Sequence, residues 1–243
     1  MDFAETEDQK MIRGMVREFA EDVAGPTCNK RDKEQIAPIE EFKKFAELGF
    51  AGMTIPEKYG GQKLDDISEA IVIEELSRVD PSLGVMIAVH VGLCSMTIAL
   101  SGNEEQKEKY LPKLASGEFL GAYSLSEAGS GTDAAAMVAR ATDDGEHYTL
   151  NGEKMWVTNG TTADIFVLFA KVTNHPDYGK KSHGGVTCFI IEKGFEGFEI
   201  GKKEDKLGIR SSDTCTLILN ECKVPKANVL GDVGKGFPIA MNA

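Results

Sequence analysis

The spacing of apolar residues predicts helices in the first part of the chain. Apolar side chains recur every three or four positions over residues 11–23, 38–48 and 66–79, which is the period of an amphipathic helix. A shorter, charged run over residues 104–114 predicts a further helix. We expect an all-helical first domain that covers residues 1–118.

Capping and breaking residues suggest where these helices begin and end. Thr6 and Gln9 have the spacing of a capping box, in which each side chain bonds the other residue's backbone N–H. Gly25-Pro26 predicts the end of the first helix, because proline removes a backbone donor. Asp66 is the predicted cap of the third helix.

Residues 83–100 are mostly apolar and long enough to resemble a membrane span. The stretch contains His90, Ser95 and Thr97, and acidic residues flank it on both sides. We therefore interpret it as a buried core helix and expect no membrane partner. His90 is then a core histidine with satisfied hydrogen bonds.

Beyond residue 118 the apolar period changes from helical to alternating, which predicts strands. Turn signals such as Asp144-Gly145 and Asn151-Gly152 separate them. We expect an α+β protein in which residues 119–231 form a small antiparallel β-barrel or sandwich and residues 232–243 only begin a C-terminal helical domain. The predicted strands are residues 119–126, 138–142, 147–150, 154–157, 165–172, 185–192, 198–201 and 214–219.

Charge and cysteine content narrow the function classes. A net charge of −12 argues against nucleic acid or an anionic membrane as the main partner. The five cysteines are odd in number and contain no C-x-x-C pair, which is typical of buried thiols in a reducing compartment. The four histidines show no ligand spacing, so we predict no metal. We see no signal peptide in the acidic N-terminal residues.

The stretch from Tyr123 to Asp133 carries the densest candidate chemistry. Gly129 and Gly131 allow a sharp turn and a close approach to the main chain, and nearby hydroxyls could bond a ligand. Successive N–H groups in such a turn could cradle a phosphate. Two other interpretations stay open: an ordinary Gly/Ser turn, and a dinucleotide-binding fingerprint, although the helix-like run over residues 134–141 is short for the latter.

Four ordered motifs are spread across nearly the whole chain. They are Leu125-Ser126-Glu127-x-x-Ser130-Gly131-Thr132-Asp133, Asn151-Gly152-x-Lys154-x-Trp156-Val157-Thr158-Asn159-Gly160, Ile55-Pro56-Glu57-x-Tyr59-Gly60-Gly61, and Lys206-Leu207-Gly208-Ile209-Arg210 with Lys223-Val224-Pro225. Together they resemble the acyl-CoA dehydrogenase family, and most of all its short-chain, butyryl-type members. Ser124 departs mildly, since the family prefers Gly, Ala or Cys there.

The resemblance implies an enzyme that uses FAD to dehydrogenate acyl-CoA thioesters, of short chain, to trans-2-enoyl-CoA. It further implies electron-transfer flavoprotein as the electron acceptor and a homo-oligomer, tetramer or dimer, at full length. The expected location is the bacterial cytoplasm or, after processing, the mitochondrial matrix. An oxidase that uses oxygen is an alternative within the class, and a non-catalytic module that binds flavin or acyl-CoA is a rival outside it.

The resemblance also implies site residues. Trp156 would lie beside the flavin ring with Thr158 near its N5 atom, although a core tryptophan is the competing interpretation. Cys215 stands where some members have arginine, which weakens the inferred nucleotide contact. Glu127 and Asp133 are expected to be structural, Asp133 as a helix cap. The implied cofactor residues are Tyr123, Leu125, Ser126, Gly131, Thr132, Trp156, Val157 and Thr158, and the implied substrate residues are Thr132, Ser182, Ser212, Asp213 and Thr214.

No residue of this chain receives the role of catalytic base. In the family the base is a glutamate of the C-terminal helical domain. We therefore expect the 243-residue chain to be a partial product that is inactive alone.

Overall fold

The computed structural model describes residues 4–243. Its first domain is helical, as expected. Turns of π-helix, Ala20–Ala24 and Val89–Ser95, join α1 to α2 and α5 to α6 without a break. The α-helices are α1 (Glu7–Phe19), α2 (Gly25–Glu34), α3 (Ile39–Glu47), α4 (Asp66–Val79), α5 (Pro81–Ala88), α6 (Met96–Ser101) and α7 (Glu104–Ala115).

The predicted helix ends are partly right. The capping box is confirmed: Gln9 N donates to Thr6 Oγ1 over 3.2 Å, and Thr6 N donates to Gln9 Oε1 over 3.0 Å. The predicted stop at Gly25-Pro26 is wrong, because Pro26 occupies the first turn of α2, where a missing N–H is tolerated. Asp65 rather than Asp66 caps α4.

The apolar segment predicted as a core helix is α5, the second π-helical turn and α6. Within residues 4–243 it is the one helix long and apolar enough to span a membrane, and over half of its most apolar stretch is buried. Leu83, Ile87, Val91 and Ile98 are fully buried in the protein interior. The expected packing role is therefore observed.

An ion-pair network around the buried carboxylate of Glu75 joins α1 to α4. Glu75 is 2% exposed and accepts from Arg13 Nη1 over 2.6 Å and from Arg17 Nη2 over 2.8 Å. The hydrogen bonds from Arg17 lower the pKa of Glu75 to about 2, against the opposing effect of burial. The network keeps these two helices in register.

The second domain is built on a sheet whose strand order is β6-β7-β3-β2-β4-β5-β8, with β1 also paired to β4. A short helix, α8 (Gly236–Asn242), then packs against β5. The strands are β1 (Gly121–Ser124), β2 (Arg140–Asp143), β3 (His147–Thr158), β4 (Ile165–Val172), β5 (Val186–Glu192), β6 (Phe198–Lys203), β7 (Thr214–Pro225) and β8 (Val229–Leu230).

The expected purely antiparallel arrangement is wrong, because the sheet is mixed. Both β1 and β2 run parallel to β4 and lie one after the other along its edge. The chain thus follows β4, leaves the sheet over residues 125–139 and returns to the same edge. We call residues 125–139 the excursion. Periodicity within each short strand could not reveal this long-range parallel pairing.

Strand β3 also differs from the prediction. The two predicted strands at residues 147–150 and 154–157 form one strand, and Asn151-Gly152 is not a turn between them. Gly152 has a φ of 143° at a register shift against β7, which is a β-bulge. The Asn151-Gly152 pair, which predicted a turn, therefore marks a bulge.

The helical domain meets the sheet where α5 and the second π-helical turn cross β1. A Cβ on Gly121 would lie 2.6 Å from Cys94 Cβ, so only glycine permits this approach. Two buried side chains bond across the contact. His90 Nδ1 accepts from Gly121 N over 3.0 Å, and Asn159 Nδ2 donates to the carbonyls of Gly121 and Met86 over 3.0 and 3.1 Å.

His90 is the satisfied core histidine that the sequence predicted. Its side chain is fully buried, and its Nε2 lies 3.1 Å from the Leu114 carbonyl oxygen. The Nδ1 atom accepts a hydrogen bond, so the ring is neutral with its proton on Nε2. Burial lowers the pKa of His90 to about 4, although the Leu114 carbonyl opposes the shift.

This buried histidine predicts a pH-dependent loss of stability. Above pH ~6.5 neither the folded nor the unfolded chain carries a proton at His90. Between about pH 6.5 and pH 4 the unfolded chain binds a proton that the folded chain does not, so the free energy of unfolding should fall by about 3 kcal/mol through this group. Urea unfolding of wild type and His90→Gln measures the effect, since glutamine has no such titration. Parallel pH profiles for the two proteins would contradict the prediction.

Candidate functional site

A cleft of about 210 Å³ opens where the helical domain meets the sheet. The π-helical turn forms one wall, and the ends of β1 and β3 form the other. Its lining residues are Val89, Leu93, Tyr123, Leu125, Ser126, Met155, Trp156 and Thr158. Five of these lining residues are among the cofactor residues that the resemblance implied.

The helical wall comes from the π-helical turn. Ser95 Oγ donates to the His90 carbonyl over 2.7 Å and Thr97 Oγ1 to the Leu93 carbonyl over 2.5 Å, so hydroxyls supplement the altered backbone ladder. Turns of π-helix inside α-helices occur frequently at functional sites. Val89 and Leu93 give this wall an apolar surface.

Trp156 protrudes from the sheet because of a second bulge in β3. The register against β7 shifts between Lys154 and Val157, and Trp156 has a left-handed φ of 59°. Its side chain is 59% exposed, whereas Val157 is buried and pairs with Cys215. The interpretation as a core tryptophan is therefore wrong. A large aromatic residue held exposed in a strained conformation is expected at a ligand site.

Tyr123 lines the inner end of the cleft. Its ring contacts Phe169 with centroids 5.3 Å apart, and its hydroxyl lies 3.4 Å from the Ala240 carbonyl oxygen. Burial raises the pKa of Tyr123 well above its usual range. The phenol thus stays neutral, donates its O–H to the Ala240 carbonyl and presents the face of its ring to the cleft.

The glycine-rich part of the excursion differs from the expectation in its backbone. No residue between Leu125 and Asp133 has a left-handed φ, so the turn does not depend on the conformational freedom of glycine. Glu127 and Ser130 close it instead, with N–O distances of 2.9 and 3.1 Å. A Cβ on Gly131 would meet nothing within 4 Å, which leaves the main chain open to a ligand.

Thr132 and Asp133 lie beyond this turn. Thr132 and Gly131 are exposed and continue outward from the cleft without lining it. Asp133 makes no side-chain cap bond, so its predicted capping role is wrong. The segment that follows is a short 3₁₀ turn, Ala134–Ala136, which excludes the dinucleotide-binding fingerprint because that motif needs a full helix.

The implied substrate residues before and at the start of β7 are buried. Asp213 accepts from Thr161 N over 2.7 Å and also from the Thr161 and Thr162 hydroxyls. Its carboxylate therefore anchors the turn after β3. Ser212 is also buried, and Thr214 pairs with Thr158 across the two strands.

Ser182 lies in a different cleft of about 600 Å³, on the far side of the excursion. Arg140, Lys171 and Lys181 give this second cleft a positive wall, and Val138 and Tyr178 add apolar surface. The chain thus contains an aromatic cleft, lined by Tyr123 and Trp156, and a cationic cleft, separated by one segment.

The sequence motifs did not indicate Val89, Leu93 or Met155. Val89 and Leu93 are four residues apart on the helix that the apolar pattern did predict, so their shared face was available as a signal. Met155 lies between two motif residues. Among the described residues, no group of three or more His, Cys, Asp or Glu side chains could hold a metal ion.

A helical domain and a mixed sheet meet at a tryptophan-lined cleft of the kind that can hold a flat aromatic cofactor. Family models agree: the acyl-CoA dehydrogenase N-terminal domain matches residues 6–118 and the acyl-CoA dehydrogenase middle domain matches residues 122–222. The chain belongs to the acyl-CoA dehydrogenase family.

Individual relatives are similar over nearly the whole chain. The short-chain-specific acyl-CoA dehydrogenase of Clostridium acetobutylicum is 46% identical over 241 residues, which are 99% of this chain and 62% of the relative. The structure of butyryl-CoA dehydrogenase from Megasphaera elsdenii has a TM-score of 0.93 at 40% identity, over 100% of this chain and 63% of that chain. The structure of a Bacillus anthracis acyl-CoA dehydrogenase complexed with FAD has a TM-score of 0.89 at 39% identity, over 98% of this chain and 40% of that chain.

The backbone at Trp156 yields a stability prediction. Trp156→Ala and Trp156→Gly should each cost no more than about 2 kcal/mol, because the side chain is mostly exposed. The glycine variant should be about 0.5–1 kcal/mol more stable than the alanine variant, because a left-handed φ strains any residue with a Cβ. Urea unfolding followed by circular dichroism measures both. A more stable alanine variant would show that the left-handed bulge is absent.

Proposed function

We propose that the whole protein is an FAD-dependent acyl-CoA dehydrogenase and that this chain supplies the flavin-binding cleft. The observation that carries the proposal is the meeting of Tyr123, Ser126, Trp156 and Thr158 in one cleft, although they come from β1, the excursion and β3. The chain spans 62% of the length of its C. acetobutylicum relative, so the activity concerns a protein longer than these 243 residues.

The cleft residues fit a flavin chemically. Trp156, Val89 and Leu93 offer apolar surface to a flat ring, while the Ser126 and Thr158 hydroxyls can bond its polar edge. The open main chain at Gly131 and the hydroxyl of Thr132 suit the diphosphate. FAD held there would supply the acceptor for the hydride from the β-carbon of the acyl group, a role that no side chain can fill.

The substrate is proposed to be a short-chain acyl-CoA thioester, which is converted to trans-2-enoyl-CoA. The cationic cleft with Arg140, Lys171 and Ser182 supports this substrate, because CoA carries several phosphate charges. The carboxylate of Asp213, bonded to Thr161 and Thr162, supports a structural role for this residue. Electron-transfer flavoprotein as acceptor and a homo-oligomeric whole protein remain part of the proposal.

The first test is the binding of FAD to the purified chain. Wild type should bind saturably, seen as a change in flavin fluorescence and absorption, and Trp156→Ala should weaken binding at least tenfold. Ile67→Ala is the matched control, because Ile67 is 60% exposed against 59% for Trp156 but lies at the start of α4, away from the cleft. Equal affinities for the two variants, or no binding by wild type, would contradict the proposal.

A second pair of variants tests the excursion. Gly131→Val should weaken FAD binding at least tenfold without loss of stability, because a side chain there meets only open space within the protein. Gly194→Val is the control, since a Cβ on Gly194 also meets nothing within 4 Å. Wild-type affinity in Gly131→Val would remove this turn from the cofactor site.

A further inference from the structure

A buried ion pair lies directly behind the aromatic cleft. Lys154 is fully buried, and its Nζ donates to Glu127 Oε1 over 2.7 Å and to the Leu125 carbonyl over 3.0 Å. Glu127 is 6% exposed. Burial lowers the pKa of Lys154, and the charge of Glu127 opposes that shift. Neither side chain lines the cleft.

The pair connects the two halves of the sheet wall of the cleft. Leu125 and Ser126 begin the excursion directly after β1, while Met155 and Trp156 belong to β3. Lys154, on β3, reaches the Leu125 carbonyl, and Met155 N donates to the Ser126 carbonyl over 2.8 Å. The position of one half relative to the other thus depends on these short polar contacts.

Glu127 also closes the base of the excursion. Its carboxylate accepts from Val138 N over 2.6 Å and from Ala139 N over 3.1 Å. These amides lie just before β2, whereas Glu127 itself lies just after β1. One carboxylate therefore holds together the two points where the chain leaves and rejoins the edge of β4.

We infer that Lys154 and Glu127 are positioning residues that set how far the start of the excursion lies from β3 in the aromatic cleft. This inference deepens the proposed function and rests on it. A buried ion pair that served stability alone could be replaced by apolar side chains at little cost. A pair that sets the geometry of the cleft cannot be replaced in this way, because apolar side chains form no hydrogen bonds to the Leu125 carbonyl or to the Val138 and Ala139 amides.

The double variant Lys154→Met/Glu127→Met separates these two roles. It removes both charges together, so it avoids the unpaired buried charge that each single variant leaves. We expect a midpoint of urea unfolding higher than in Lys154→Met, yet FAD affinity at least tenfold below wild type. Recovery of affinity together with stability would overturn the inference. So would failure of the double variant to fold under conditions in which Lys154→Met folds, because stability would then be the pair's role.

Glu75→Gln is the control for a general effect of lost stability. Glu75 lies in the ion-pair network between α1 and α4 and does not line the cleft. The Glu75→Gln variant should have a lower midpoint of urea unfolding, while its FAD affinity stays within twofold of wild type. A comparable loss of affinity in Glu75→Gln would show that the cleft responds to any destabilisation, which overturns the inference.

Amide hydrogen exchange in the flavin-free chain gives an independent readout. The Val138 and Ala139 amides lose their acceptor, the Glu127 carboxylate, in the double variant. They should therefore exchange faster whether or not the cleft changes shape. The Met155 amide keeps its acceptor, the Ser126 carbonyl, so faster exchange there, by at least tenfold, reports a displaced strand. Unchanged Met155 exchange would overturn the inference. This measurement needs no flavin. If the wild-type chain fails to bind FAD, the proposed function is rejected, whereas the exchange rate of the Met155 amide still tests the positioning role of the pair.

Discussion

The close contact between the long apolar helix and β1 is the constraint on which the rest of the structure depends. Gly121 lets the strand approach Cys94, and the side chains of His90 and Asn159 saturate the polar backbone groups that this approach buries. Such groups are costly when unpaired in the interior. Because β1 is fixed against the helix, the π-helical turn faces the strand ends, and the cleft forms between them.

The same contact joins the two domains into one interior. A single cluster of buried apolar residues includes Val16 and Leu76 of the helical domain as well as Phe166 and Leu217 of the sheet. The domain boundary in the sequence is therefore not a gap in the packing. A site between two such layers is held by both, which suits a rigid cofactor better than a site on a mobile loop would.

The sequence predicted the local features well and the long-range features poorly. The helical period identified the first domain, and the capping box at Thr6 was correct because all of its atoms lie within four residues. The parallel pairing of β1 and β2 with β4 was missed, because no local signal specifies which distant strand a short strand will join. Asn151-Gly152 has the composition of a turn, yet pairing with β7 converts it into a bulge.

The candidate site could likewise be predicted from the sequence only in its local features. Tyr123, Ser126, Trp156 and Thr158 were found through the family motifs, whereas Val89 and Leu93 come from a helix read only as core. The side chain of Trp156 could not be placed from sequence, since a strand pattern does not reveal a bulge with a left-handed residue. Lys154 and Glu127 stood inside the motifs, but only the fold shows them in contact.

The gap between β1 and β2 along β4 determines where the chain can change in length without disturbing the sheet. β1 and β2 pair with β4 independently, and Glu127 joins the two ends of the excursion, so residues 128–137 lie outside the backbone hydrogen bonding of the strands. Insertions and deletions there leave every strand register unchanged. A change in the length of this one segment can therefore reshape the rim between the two clefts while the strands stay as they are.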